Sequence, residues 1–599
     1  MHEPFYVSGE HVVPEMGVYA GWVAHENSFA SQVFSNERQD TSLLFSGECF
    51  FDSQTSANLD QRRQTDGFDH AALLMHFYER EGVRFFGKLN GLFSGLLIDR
   101  RQRKVFLFND RYGVERIYWH QTKDAFYFAS EAKALLRVLP ALREFDAEGV
   151  AHFFAFGCTP IGRTLFREIQ LLPPGSLWRF ENGHCHKGKH FSPEFWESQI
   201  VLPIEDFTEE FEATFKKVIS RYFRGAGRIG ISLTAGLDCR LIMACHPRRD
   251  DDPICYTFAG PKRDTLDVRI ARRVAKTAGL SHRVIRLRPD FFSDFASYVD
   301  RTVYITDGTL GVLGAHEIYF NRQARALAPV RLTGVFGGEI LRGVSFLKPL
   351  GLTSKLLNPD FASAVRRAGE QRSNQHLVSD AAFRDIPEKR FGPPAASRSQ
   401  LTFRTPYLDN DLVALAYRVP EAMRSSASIA LHMIKANNSL LAGISTDRGL
   451  SGQNNSLTSL LRAMFYELTF KLDYRYNEGL PHSLSFLDPL FRQLESGPGI
   501  LGLHKFLHYR TWLRSEVASY VEDVIDRMQA NDSPFWNSNS LPRLARDHIE
   551  GRMNYLGELN AVLTLEAVER RLLQNLPREP DNGKNANSSD CTVTVATAD

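Results

Sequence analysis

Short runs of alternating apolar and polar residues fill residues 17–195, a pattern typical of half-buried β-strands. Strands are predicted at 18–23, 42–51, 93–99, 104–109, 117–120 and 125–129, and one helix at 69–81. Several short strands separated by turn signals predict packed antiparallel sheets. Pro173-Pro174-Gly175 and the stretch 194–206 mark the predicted exit from this domain, which we assign to residues 1–195.

The pattern changes after residue 206, where helical and strand-like runs alternate. A helix at 207–221 leads to a strand at 229–233, and further strands at 253–259 and 281–287 flank a helix at 266–278. This alternation predicts a parallel α/β sheet, whose ligands bind at the carboxyl ends of the strands. We assign this second domain to residues 205–576; within it, 351–400 is a poorly patterned insertion and 455–575 a mainly helical extension. The Asn- and Ser-rich stretch 577–599 is predicted to be a disordered tail.

The first strand of the parallel sheet ends in a turn of small residues that predicts a phosphate site. A strand, a tight turn and a helix aim backbone N–H groups at one point, which suits a polyphosphate. The predicted binding residues are Ser232, Leu233, Thr234, Ala235, Gly236, Leu237, Asp238 and Cys239. A carboxylate beside phosphates needs a divalent cation between them, so Asp238 is predicted to be a Mg²⁺ ligand. The alternative is an ordinary strand-to-helix turn in which Asp238 caps the helix.

Two better-known phosphate loops do not account for this segment. A Walker loop requires a Gly-Lys-Ser or Gly-Lys-Thr ending, and the chain contains none. The string Gly225-Ala226-Gly227-Arg228-Ile229-Gly230 fits the dinucleotide pattern, but it precedes the strand, whereas that mechanism requires glycines after a strand.

Composition restricts the class of protein. The 599 residues include 72 basic and 70 acidic side chains, a balance that gives no sign of a nucleic-acid or anionic membrane partner. The N-terminal sequence lacks a signal-peptide layout, and no apolar run approaches the ~20 residues of a membrane span. Seven scattered cysteines without a C-x-x-C pair argue against a zinc site or a disulfide framework. These features predict a cytoplasmic protein of two domains, and they leave a homodimer open.

The turn at 232–239 resembles the pyrophosphate loop, S-G-G-x-D-S, of the asparagine synthetase family. Upstream, LNGLFSGLLIDRRQRKVFLFNDRYGVERIYW followed by FYFASEAKALL is similar to the class II glutamine amidotransferase domain of that family. The resemblance covers roughly residues 17–450. It implies an α+β sandwich of antiparallel sheets of the Ntn, class II amidotransferase type, followed by an α/β parallel-sheet ATP-pyrophosphatase-like domain with a helical extension.

The glutaminase chemistry of the family is missing from the sequence. The family nucleophile is a cysteine that follows Met1, and here that position is His2, which cannot form the thioester. The glutamine-binding Asn-Gly-Glu segment becomes Ser46-Gly47-Glu48. Cys49 is nearby, but a strand-borne thiol without an adjacent base is more often a buried small residue. We therefore predict a glutaminase fold without glutaminase activity.

Three segments carry the resemblance of the second domain. Asp267 lies where the family has an acidic residue at the start of the second helix, and residues 404–409 resemble its R-x-P-F-L-D segment. Residues 332–343 resemble its second glycine-rich loop, where G-E-G-S-D-E is replaced by Gly334, Val335, Phe336, Gly337, Gly338 and Glu339. The family's catalytic-base glutamate and one magnesium-holding aspartate are thus lost. Glu339 either serves in their place or is a structural carboxylate.

Further candidates follow from position in the sheet and from charge. The predicted nucleotide site also includes Thr257, Phe258, Asp267, Thr333 and Gly334. A cation at Lys435 or Arg448 would neutralise the pyrophosphate leaving group, the alternative being ordinary surface charge. Arg404 and Asp409 either bracket a substrate or form an ion pair with each other.

The resemblance implies an ATP- and Mg²⁺-dependent ligase that adenylates a small-molecule or peptide carboxylate, releases pyrophosphate and passes the acyl group to an amine or ammonia, without glutamine. Asp238, Glu339, Lys435 and Arg448 are its candidate catalytic residues. One alternative is an intramolecular cyclase of the β-lactam synthetase or lasso-peptide cyclase type. The other is a catalytically degenerate binding or scaffold protein, suggested by Ala235, Val335 and Gly338.

Overall fold

The computed structural model describes residues 3–50, 72–225, 227–247, 252–370, 376–424, 426–451, 457–478, 502–529, 533–537, 539–574 and 593–596. Its strands are β1 (Tyr6–Val13), β2 (Val18–His25), β3 (Phe34–Ser35), β4 (Thr41–Cys49), β5 (Gly91–Asp99), β6 (Lys104–Asn109), β7 (Tyr118–Gln121), β8 (Ala125–Ala129), β9 (Gln170–Leu171), β10 (Ser176–Glu181), β11 (His184–Lys189), β12 (Ile229–Ser232), β13 (Ile254–Ala259), β14 (His282–Arg286), β15 (Val330–Thr333), β16 (Thr402–Arg404) and β17 (Val593–Ala596).

Two antiparallel sheets form the first domain, in the orders β1-β2-β17-β8-β7-β9 and β11-β10-β6-β5-β4-β3. The sheets face each other across a core to which both contribute, including Val18 and Phe126 from one and Leu96 and Leu107 from the other. Helix Ala72–Glu81 covers the far side of the second sheet, and helix Ala132–Val138 packs on the first. The predicted sandwich of antiparallel sheets between helices is confirmed.

The second domain is built on a parallel sheet in the order β14-β13-β12-β15-β16. Its longer helices are Ile204–Tyr222, Leu237–Ala244, Leu266–Thr277, Phe295–Thr306, His316–Leu327, Pro359–Gly369, Asn410–Ala416 and Ser428–Asn437. β12 lies at the centre with β13 and β15 as neighbours, so the turn after β12 lies beside the turn after β15. This arrangement confirms the predicted parallel α/β sheet.

The poorly patterned insertion contains more structure than expected, and the predicted helical extension does contain helices. Residues 351–400 include helices Pro359–Gly369 and Gly392–Arg398, and the predicted helical extension contains helices Leu457–Glu478, Ala518–Gln529, Leu541–Ile549 and Leu556–Val568. Within the stretch 577–599, predicted to be disordered, β17 pairs with both β2 and β8, so that prediction is wrong for these four residues. No helix in the described part of the chain is long and apolar enough to span a bilayer.

Polar contacts join the two domains around the end of β16. Arg404 from β16 donates to both carboxylate oxygens of Glu48 from β4, from Nε at 2.8 Å and from Nη2 at 2.6 Å. Asn90 donates to Asp409 at 2.9 Å, and the hydroxyl of Tyr112 donates to Asn410 at 3.0 Å. The R-x-P-F-L-D-like segment therefore holds the first domain against the second.

Candidate functional site

The turn after β12 forms a loop whose conformation is fixed from two sides. The Asp267 carboxylate, in the first turn of helix Leu266–Thr277, accepts from the backbone N–H of Ala235 at 2.6 Å. On the other side the buried Arg240 guanidinium donates to the Ala235 carbonyl at 3.1 Å and also to Ile444. Ala235 keeps a negative φ, so its β-carbon in place of the family's glycine causes no backbone strain.

A second loop, after β15, lies directly against the first. A β-carbon at Gly334 would lie 2.6 Å from the backbone nitrogen of Cys239, and one at Gly337 would lie 2.6 Å from the Asp238 Cγ. Glycine at these two positions lets the loops touch. Phe336 adopts a φ of +75°, in the left-handed region that glycine tolerates best, so its backbone is strained. The Phe336 ring is buried.

Asp238 lies in the first turn of helix Leu237–Ala244 and is paired with an arginine from the second loop. Its two carboxylate oxygens accept from Arg342 Nη1 at 2.7 Å and Nη2 at 2.8 Å. Burial lowers the pKa of Arg342, but the hydrogen bonds and charge of Asp238 outweigh burial and raise it above its usual range. Asp238 is therefore engaged by a guanidinium where the sequence predicted a metal ion.

The remaining acid of the second loop is also engaged. Glu339 is buried and accepts from Arg390 Nε at 3.0 Å; burial raises the pKa of Glu339, and the charge of Arg390 opposes the rise. No group of three or more His, Cys, Asp or Glu side chains that could hold a metal occurs among the described residues. With both oxygens of Asp238 committed to Arg342 and Glu339 committed to Arg390, the arrangement does not fit a protein-held Mg²⁺ at Asp238.

Several predicted nucleotide-site side chains serve local structure. The Thr257 hydroxyl donates to the Leu233 carbonyl at 2.7 Å, and Phe258 stacks on Phe320 with ring centroids 4.5 Å apart. Cys239 is buried, and its thiol donates to the Ser232 carbonyl at 3.2 Å. Thr234 is exposed on the loop and accepts from the N–H of Gly236 at 3.3 Å. Thr333 accepts in the same way from the N–H of Val335 at 3.4 Å.

The predicted cationic and substrate-bracketing residues are placed differently from expectation. Arg448 forms a bidentate pair with Glu467, with both distances 2.8 Å, and Lys435 is exposed on helix Ser428–Asn437. Arg404 pairs with Glu48, as described, while the Asp409 carboxylate accepts from Arg221 at 2.8 and 3.0 Å. The prediction that Arg404 and Asp409 bracket a substrate or pair with each other is wrong, because each is buried with a different partner.

A cavity of about 470 Å³ lies between the sandwich and the parallel sheet. Ser46 and Glu48 line it from the first domain, and Arg398, Arg404 and Thr405 from the second. The Thr405 hydroxyl donates to the Val335 carbonyl at 2.6 Å, so this end of the cavity reaches the second loop.

The cysteine beside the degenerate glutamine segment has no sign of activation. Cys49 ends β4, is fully buried, and burial raises its thiol pKa to about 12. At neutral pH it is therefore a thiol, which agrees with its interpretation as a buried small residue. His2 lies outside the described residues, so the missing nucleophile stays a prediction from the sequence.

Two arginines of the site escaped prediction. Arg240 is buried beneath the first loop, and its only sequence signal is a charge among the apolar residues of the helix. Arg342 has a clearer sequence signal, because the family's aspartate is lost at Gly338 and a cation appears four residues later, on the same face of helix Gly337–Arg342.

Asp267 gives the loop a testable pH dependence. Burial, with a contribution from Asp447, raises the pKa of Asp267 to about 7, although the bond from Ala235 opposes the rise. The usual pKa of an aspartate is near 4. Between pH 4 and about pH 7, Asp267 is therefore protonated in the folded chain and ionised in the unfolded chain, so the folded state loses stability as the pH rises through this range. The Asp267→Asn variant should therefore match the wild type near pH 4 and be more stable near pH 8, as measured by thermal unfolding. Parallel pH profiles for the two proteins would contradict the assignment.

Comparison with known proteins matches both halves of the chain. A family model described as glutamine amidotransferase domain matches residues 23–191, and one described as asparagine synthase matches 210–394. Asparagine synthetase [glutamine-hydrolyzing] 2 of Bacillus subtilis is 23% identical over 384 residues, covering 60% of this chain and 50% of the relative. Asparagine synthetase [glutamine-hydrolyzing] 1 of the same organism is 21% identical over 325 residues, covering 54% of this chain and 50% of the relative. The asparagine synthetase [glutamine-hydrolyzing] of Bos taurus is 24% identical over 257 residues, covering 41% of this chain and 43% of the relative. The chain thus spans about half the length of these relatives.

Proposed function

Because the chain belongs to the asparagine synthetase family, we propose that it is an ATP-dependent ligase that adenylates a carboxylic acid and transfers the acyl group to ammonia or an amine. The observation that carries the proposal is the contact between the loops after β12 and β15, at the carboxyl ends of neighbouring parallel strands. This is where α/β sheets bind their ligands, and the first loop matches a pyrophosphate loop in sequence.

In the proposed reaction an oxygen of the substrate carboxylate attacks the α-phosphorus of ATP, and the bond to the β-phosphate breaks with release of pyrophosphate. The amine then attacks the acyl carbon, and AMP leaves. The backbone N–H groups of the 232–239 loop would hold the departing phosphates, as a helix N-terminus does for anions. Arg240 and Asp267 hold that loop by its carbonyl and its N–H group, so it is organised before the nucleotide arrives.

We further propose that the amine enters without glutamine hydrolysis, although the relatives are named as glutamine-hydrolysing enzymes. Ser46 replaces the asparagine of the family's glutamine-binding segment, and the buried Cys49 thiol is un-ionised at neutral pH. Purified full-length chain is expected to release no glutamate from glutamine, and ammonium or an amine should support product formation where glutamine does not. Glutamate release that disappears in a Cys49→Ala variant would contradict the inactive-domain interpretation.

The retained sandwich then has a structural role that the interdomain contacts support. Glu48 is the surviving carboxylate of the glutamine segment. It is bound by Arg404 from β16, the strand beside β15 in the parallel sheet. A carboxylate held by a buried guanidinium is not free to bind a glutamine amine. The first domain would therefore serve to hold β16 and the adjoining loop in place.

A non-catalytic binding protein is the competing function, and the Asp238–Arg342 pair is the observation that favours it, since this pair replaces the expected metal site. An intramolecular cyclase shares the adenylation step and differs only in the source of the amine. Carboxylate-dependent exchange of labelled pyrophosphate into ATP is expected from both enzymes and not from the binding protein.

A further inference from the structure

The Asp238–Arg342 pair depends on the substitutions that distinguish the second loop. A β-carbon at Gly338 would lie 3.1 Å from Arg342 Nη2, so a larger side chain at 338 would press on the guanidinium. Gly337 in turn leaves room for the Asp238 carboxylate, because a β-carbon on residue 337 would lie 2.6 Å from the Asp238 Cγ. The guanidinium thus lies beside the position from which the family's magnesium-holding aspartate has been lost.

The pair leaves donors available for a ligand. Arginine carries five N–H donors, and the bidentate bond to Asp238 uses two of them. The Arg342 side chain is 22% exposed and that of Asp238 20%, so both are reachable from the loop surface. A phosphate can therefore bind Arg342 without breaking its bond to Asp238.

The other cations near the loops also have partners, and what distinguishes Arg342 is that its partner, Asp238, lies in the first loop. Arg448 is paired with Glu467, Arg390 with Glu339, and Arg240 with carbonyls beneath the first loop. Val335 and Gly338 also remove two of the negative charges in the family pattern. The two loops consequently present one guanidinium paired with one carboxylate, together with neutral backbone, rather than a cluster of carboxylates that requires a divalent cation.

We propose that the Arg342 guanidinium is the built-in counter-ion for the polyphosphate of the nucleotide and takes over the role of a carboxylate-held metal ion at this site. The inference rests on the proposed nucleotide binding at the same loops. Guanidinium suits this role because its planar donors match phosphate oxygens in pairs. Asp238 acts as a positioning residue that fixes the guanidinium beside the first loop.

The test is calorimetric binding of inorganic pyrophosphate to the full-length chain, in EDTA and in excess Mg²⁺. Wild type is expected to bind with nearly the same affinity in both. Arg342→Gln should weaken binding in EDTA at least about 30-fold, and Arg342→Lys by less. The Gly338→Asp/Arg342→Gly variant should bind only when Mg²⁺ is added.

Arg570→Gln is the control, because Arg570 forms a bidentate pair with Asp300 at 2.6 and 2.8 Å, is likewise 22% exposed and lies outside the two loops; it also donates to Glu566 at 3.0 Å. Its pyrophosphate affinity should equal that of wild type. Wild-type binding that requires Mg²⁺, or equal affinities for Arg342→Gln and Arg570→Gln, would overturn the inference while leaving the proposed function intact. No binding in either condition would overturn both. The comparison of wild type in EDTA and Mg²⁺ needs no variant to fold.

Discussion

The Asp238→Asn variant is expected to lose pyrophosphate–ATP exchange by at least about 100-fold, the scale seen when one preorganised group of an active site is removed. The substitution leaves the Arg342 guanidinium with a neutral partner, so it is no longer fixed beside the first loop. The fold should survive, because the pair lies near the surface and loses about 1–3 kcal/mol at most. Exchange rates and thermal unfolding of the purified variant measure the two effects separately.

Asp300→Asn is the control for this variant. Asp300 and Arg570 form the same bidentate geometry at 24% and 22% exposure, and neither belongs to the two loops. Asp300→Asn should show a similar change in unfolding temperature with its exchange activity intact. Equal losses of exchange in the two variants would mean that Asp238 acts only through stability.

The Arg404→Met variant is expected to lower the free energy of unfolding by about 3–5 kcal/mol, the range for breaking a buried ion pair by removing one partner. Arg404 is 6% exposed, and its guanidinium donates to Glu48 and to the carbonyls of Tyr222 and Arg224. Removal leaves the Glu48 carboxylate, which is 15% exposed, uncompensated at the domain interface. The midpoint of urea unfolding, followed by tryptophan fluorescence, should fall accordingly.

Glu48→Gln in the Arg404→Met background should recover part of that loss, because it removes the unpaired charge. Arg418→Met provides the exposed comparison. Arg418 and Glu210 pair at 2.6 Å but are 27% and 43% exposed, so this change should cost less than about 1 kcal/mol. If Arg404→Met cost no more than Arg418→Met, the pair would not be what joins the domains.

Much of the fold could be predicted where burial imposed a pattern on the sequence, although β10 was missed despite its alternating burial. The six strands predicted in the first domain and the strands, turn and helices from 229 to 287 were found because buried apolar residues mark them, on both faces in β6, β12 and β13. β1 and β11 were missed for the opposite reason: their residues are largely exposed or half-buried, so Tyr6–Val13 and His184–Lys189 contain no apolar alternation. β17 was missed because a four-residue strand in a polar tail gains its partners only from the folded sheet.

The candidate site was predictable in position but not in its ion pairs. The 232–239 turn was identified from its own residues, and Asp267 and the second loop from the family resemblance; the structure places all three together. Pairing of Asp238 with Arg342, and of Arg404 with Glu48, joins residues more than a hundred positions apart in the chain. Charge patterns within a segment contain no information on such partners, so Arg404 and Asp409 were wrongly associated with each other.

Exchange of labelled pyrophosphate into ATP, measured with purified full-length chain across a panel of carboxylic acids, shows directly whether the chain adenylates a carboxylate. We expect exchange that depends on one class of acid, is lost in Asp238→Asn, and is followed by release of AMP when ammonium or an amine is supplied. ADP as the nucleotide product, or exchange absent with every acid tested, would contradict it.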